Sequence, residues 1–98
     1  MKNSKQYLLL QQTDKKLERF KHLKTMINPP KGWINTFRIS LKMSLRQLGN
    51  RLAISAQSAK EIEERESNGT ITLNSLRDAA NAMDLQLVYG FVSNEPIE

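Results

Sequence analysis

Cysteine is absent from this sequence. That excludes a disulfide framework and thiolate metal sites, and it fits a reducing, cytoplasmic setting. Histidine is nearly absent too: His22 is the only one and lies among lysines with no nucleophile nearby. General-base chemistry and a metal-binding set therefore have little to stand on, and the expectation is neither an enzyme nor a carrier of a cofactor or metal. The four glycines are scattered, which leaves out a glycine-rich phosphate loop. Long apolar runs are missing as well. The fullest at the start, Tyr7 to Leu10, is too short for a membrane span or the core of a signal peptide, so no membrane partner is expected.

What is present is charge, unevenly placed. The 98 residues carry a formal net charge of +5. Residues 1–42 hold ten Lys/Arg against two Asp/Glu, a surplus of +8, whereas residues 43–98 hold five against eight, a deficit of −3. Such a surface suits an anionic partner such as DNA, although a merely solvated helix face explains Lys15, Lys16, Arg19, Lys21 and Lys24 nearly as well. The length fits one domain near the lower end of core building, where association between copies helps stability.

Residues 1–28 read as a charged amphipathic helix, strongest from Gln6 to Ile27, with Leu10, Leu17, Phe20, Leu23 and Ile27 in a narrow stripe. The stripe is expected to pack on the rest of the chain or on a second copy. Residues 29–32, Pro-Pro-Lys-Gly, break that helix, because paired prolines lack donors and push Asn28 out of the α region. From Trp33 a helix restarts, with Trp33, Phe37 and Leu41 at i, i+4, i+8 and Ile34 beside them, all four expected in the core.

Residues 44–66 organise everything else. Leu45, Leu48 and Leu52 recur at i, i+3, i+7 behind Ser44, a cap that Gln47 can complete as a capping box. A second helix begins at the N-cap Ser55 and sets Ala59 and Ile62 on one face. Only Ala53, Ile54 and Ser55 separate the two, so they must cross steeply, with the small Gly49 and Ala59 where they touch. This is helix-turn-helix geometry, which lays its second helix in the DNA major groove. Gly69 then ends the second helix, and Thr72 caps a further core helix carrying Leu73, Leu76, Ala80 and Met83. Residues 33–84 thus form the expected helix-turn-helix domain, with Asp84 in a turn.

Residues 85–92, LQLVYGFV, alternate as a strand, with Leu85, Leu87, Tyr89 and Phe91 on one face and Val88 on the other. A solitary strand leaves backbone groups unpaired, so a homodimer through a shared two-stranded sheet is expected, the alternative being pairing with Gln6 to Leu10. Residues 93–98 read as a disordered tail.

These residues resemble the λ-repressor-like helix-turn-helix family, the xenobiotic-response-element group of regulators, through Ser44, Leu48, Gly49, Leu52, Ile54, Ser55, Ile62 and Glu63. More narrowly, PPKGWINTFRISLKMSLRQL, NGTITLNSLRDAANAMD and LQLVYGFV resemble the group called mobile mystery protein A, over roughly Gln11 to Val92. The resemblance implies a mainly α, λ-repressor-like bundle, to which the residues themselves add an extra N-terminal helix and a C-terminal dimerisation strand. It also implies an antitoxin-like autorepressor in a toxin–antitoxin pair with a Fic-domain protein. By position it puts Ala56, Gln57, Ser58, Lys60 and Glu61 in the groove, Ser44 and Leu45 at the DNA backbone, and Arg38 against Glu63 as a brace. Ser55 caps the groove helix, and Lys42, Arg46 and the N-terminal lysines are placed to neutralise phosphates of a palindromic operator.

Two features depart from that pattern. Ala53 stands where the family's turn has glycine, so a positive φ there carries strain. Glu61, Glu63, Glu64 and Glu66 load the groove helix with negative charge, which favours a competing expectation: an antitoxin that binds a protein and makes little use of DNA.

Overall fold

The structure, a computed structural model, describes residues 28–94. Residues 28–87 form one unit; the described residues 88–94 belong to a second. The expected N-terminal helix, the alternative pairing of Gln6 to Leu10, His22 and most of the expected tail lie outside the described residues. Among the described residues the protein is mainly α, with four helices and no strand: α1 (Gly32–Ser40), α2 (Leu45–Leu52), α3 (Ala56–Asn68) and α4 (Leu73–Ala82). None is long and apolar enough to cross a membrane.

Local chemistry starts three of the four helices. Ser44 accepts from Gln47 N at 3.0 Å while Gln47 Oε1 accepts from Ser44 N at 2.8 Å, closing the capping box of α2. Ser55 accepts from Ser58 N at 3.0 Å, and Thr72 from Ser75 N at 3.1 Å. The fourth start is different. Lys31 precedes α1 and gives no side-chain cap, so the first-turn donors need an acceptor from elsewhere. Glu66, in the last turns of α3, supplies it: its Oε2 accepts from Trp33 N at 2.9 Å and its Oε1 from Ile34 N at 2.8 Å.

All four helices end at or just before a left-handed residue, and only one of these is glycine. Lys42 follows α1 with φ 57°, Ala53 caps α2 with φ 58°, Gly69 caps α3 with φ 83°, and Asp84 follows α4 with φ 57°. Ala53 thus takes the positive φ that a glycine would adopt without strain.

The core of residues 28–87 gathers Ile34 from α1, Met43 from the link after it, Leu48 from α2, Ala59 from α3, and Ala79 and Met83 from α4 and its end. Leu48 is fully buried, and Leu45, Leu52, Ile54, Ile62, Ile71, Leu76 and Leu85 pack around this cluster. Where α2 meets the turn into α3, a Cβ on Gly49 would stand 2.8 Å from Ile54 O and 2.9 Å from Ser55 O. Both obstacles are backbone and cannot swing aside, so glycine is what lets the two helices touch there.

Two expectations are corrected. Trp33, Phe37 and Leu41 do not share a core with Ile34: they are 38%, 39% and 50% exposed, whereas Ile34 is buried. Glu66 and Glu63 draw the Ile34, Asn35 and Arg38 side of α1 onto α3, which turns the aromatic stripe outward. Leu73, also expected in the core, is exposed at the first position of α4. Residues 85–92, expected as a strand shared between two copies, have no regular secondary structure in the single chain. Leu85 and Leu87 are half-buried while Val88, Tyr89 and Phe91 are exposed, so the alternation of the sequence does not carry through to burial. A ladder needs a second row of backbone groups, and none of the described residues supplies one.

Candidate nucleic-acid interface

The acids of α3 divide by helix geometry. At 3.6 residues per turn, Ala59, Ile62, Glu63 and Glu66 share one side of α3 and Gln57, Glu61 and Glu64 the other. Burial agrees: Ala59 and Glu63 are buried, and Gln57, Lys60, Glu64 and Arg65 are exposed. Two of the four glutamates are therefore structural.

Glu63 is buried yet fully engaged. Arg38 Nε donates to its Oε2, Arg38 Nη2 to its Oε1 at 3.2 Å, and Asn35 Nδ2 to Oε1 at 2.8 Å. Arg38 Nη1 also donates to Met43 O at 2.9 Å, tying the end of α1 to the link that feeds α2. A guanidinium meeting a carboxylate through two of its nitrogens, with backbone taking a third donor, compensates burial that a lone charge could not survive. No buried side-chain polar atom among the described residues lacks a partner.

Glu61 and Glu64 are what remains on the outward side. Glu61 is half-exposed and loosely paired one turn on with Arg65, at 3.8 Å. Lys60 and Arg65 flank the row Gln57–Glu61–Glu64 on opposite sides, so the acids run along the middle of the exposed face and the cations along its edges.

The residues expected at the interface fall into three settings. Ala56, Gln57, Lys60 and Glu61 come together on the outer side of the first two turns of α3. Ser55 is occupied: its Oγ donates to Ser58 Oγ at 3.0 Å while it caps the helix, and Ser58, which accepts that bond, is half-buried. At the start of α2, Lys42, Ser44 and Arg46 are exposed, Ser44 being occupied as a cap, whereas Leu45 is half-buried against the core. Leu41, Lys42, Met43, Gln47, Asn50 and Arg51 line an open depression of about 360 Å³, too shallow to enclose a small ligand. Among the described residues no group of acids and histidines could hold a metal ion.

Three structural residues escape a reading of the sequence by motif. Glu66 caps α1 across 32 positions, Asn35 completes the shell of Glu63, and Arg51 donates to Ala82 O at 2.8 Å, satisfying the end of α4. One signal was available for Glu66: PPKGW offers no Ser, Thr, Asp or Asn to cap the helix it starts. Comparison with known protein families, curated proteins and solved structures finds no match for this chain.

Proposed function

We propose that this chain is a sequence-specific, double-stranded-DNA-binding regulator of the helix-turn-helix class. The observation that carries this is the sorting of α3: Glu63 and Glu66 turn inward to hold α1, which leaves Gln57 and Lys60 on an exposed, capped helix start two residues past a tight turn. Such a start can enter the major groove, where Gln57 bonds N6 and N7 of adenine and Lys60 reaches guanine or phosphate. Lys42 and Arg46 neutralise the adjoining phosphates. A homodimer formed through residues 85–92 sets two such helices about one helical turn apart on a palindrome.

More narrowly, the protein is an antitoxin-type autorepressor acting with a Fic-domain toxin. This part rests on the resemblance of PPKGWI, TITL and LQLVYGFV to mobile mystery protein A. The inward turn of Glu63 and Glu66 supports this reading over a purely protein-binding antitoxin, since half the acids of α3 hold the fold and only Glu61 and Glu64 remain outward.

Fluorescence anisotropy with duplex from the chain's own upstream region, set against random duplex of equal length, tests the proposal. At physiological salt the upstream duplex is expected to bind at least ~10³-fold more tightly. Equal affinity for the two overturns the reading.

A further inference from the structure

The two outward acids of α3 have no structural work that accounts for them. Glu64 is exposed, and Glu61 touches only Arg65, loosely, with both side chains about half exposed (46% and 53%). Their place in the row is what gives them meaning. Gln57 and Glu61 lie one turn apart, about 6 Å along the axis, and Glu64 stands one turn beyond. Base pairs are stacked every ~3.4 Å, so successive members of this row face bases roughly two steps apart. Lys60 and Arg65, on the flanks, face the two walls of phosphate when the row faces the floor of the groove.

An ionised carboxylate offers acceptors only. In the major groove cytosine presents an N4 amino donor and adenine an N6 amino donor; guanine presents O6 and N7, and thymine O4 and a methyl group, none of them a donor. We propose that Glu61 and Glu64 select bases carrying an exocyclic amino group, cytosine or adenine, at two positions of each half-site, and exclude guanine and thymine there. This inference deepens the DNA-binding reading and rests on it.

The test is selection of the full chain on a randomised duplex library, followed by competition titrations with the parent, Glu61→Gln and Glu64→Gln. Both residues lie on the outer face, so the fold is expected to survive either change. In the selected site two positions are expected to favour cytosine or adenine about tenfold over guanine or thymine. Each substitution should relax one of those positions to within about threefold, because an amide donates as well as accepts. Three results count against the proposal. If the substitutions raise affinity for every sequence alike and leave the base preferences unchanged, the carboxylates only repel phosphate, and the proposal fails while DNA binding stands. A site whose positions are set without Glu61 or Glu64 has the same consequence. No enrichment at all overturns both the proposal and the DNA-binding reading beneath it.

Discussion

Arg38 holds Glu63 through two nitrogens and Met43 O through a third, all in a largely buried setting. Truncating one partner of such a pair leaves the other charged and desolvated, which is far more damaging than removing both. Arg38→Ala is therefore expected to destabilise the fold by about 3–5 kcal/mol, and Arg38→Met combined with Glu63→Leu by clearly less, as read by urea denaturation. Equal losses in the two would mean that the pair contributes packing alone. Ala53 makes the opposite case. Its φ of 58° costs an L-residue about 1–2 kcal/mol, while glycine gives back about 0.5–1 kcal/mol in chain entropy. Ala53→Gly should thus raise Tm by a few degrees and leave DNA affinity as it was; an unchanged or lower Tm would show that the turn holds Ala53 without strain.

Among the elements, α1 shows how far the sequence could be read. Its existence was legible in the break at Pro29–Pro30 and the apolar spacing that follows, and the starts of α2, α3 and α4 in Ser44, Ser55 and Thr72, because a cap is a contact within a few residues. Which side of α1 is buried was not legible. That depends on Glu63 and Glu66, some thirty positions away, bonding the Ile34–Arg38 side and outcompeting an apolar stripe whose spacing alone suggested core. One helix end was hard to place for a related reason: Ala53 and Asp84 stand at turns the sequence marks, but Lys42, left-handed after α1, advertises no turn as glycine does. The candidate site followed the same division. The outward place of Gln57 and Lys60 came from the resemblance, in keeping with a capped helix whose Ala59 and Ile62 face inward, whereas the fate of the glutamates needed the tertiary structure.

Two predictions belong to α1. Ile34→Ala should lose about 2–4 kcal/mol and Phe37→Ala about 1 kcal/mol, since the first empties the core and the second trims a half-exposed face. The reverse order in thermal melts would restore the aromatic stripe to the interior. Glu66→Ala should leave the first-turn amides of Trp33 and Ile34 without their acceptor, at about 1 kcal/mol. Those two amides should then exchange faster with solvent than the rest of α1; uniform exchange along the helix would show that water replaces the carboxylate at no loss.

At the scale of the whole molecule, one copy is not enough for the proposed task. A single helix start reads a few base pairs, and a half-site alone discriminates weakly against the many competing sequences of a genome. Residues 85–92 are the natural place to join two copies. Val88, Tyr89 and Phe91 are 74%, 61% and 82% exposed in the single chain, a run of large apolar side chains in a segment that has no ladder partner among the described residues. An edge of that kind either finds a second strand or invites aggregation, and this protein has placed no proline between Leu85 and Ser93 to blunt it. The full chain is therefore expected to sediment as a dimer at micromolar concentration. Val88→Lys with Phe91→Glu should give a monomer whose far-UV helical signal is kept, because neither residue belongs to the core of residues 28–87. The monomer should bind a single half-site about as well as one arm of the parent does. On the full palindrome it should lose the steep concentration dependence of paired binding, and its affinity should fall less sharply with salt because fewer phosphates are neutralised at once. A parent chain that sediments as a monomer, or a double variant that remains dimeric, would move the junction between copies away from this segment, and the spacing of the two α3 helices on DNA would have to be derived from a different surface.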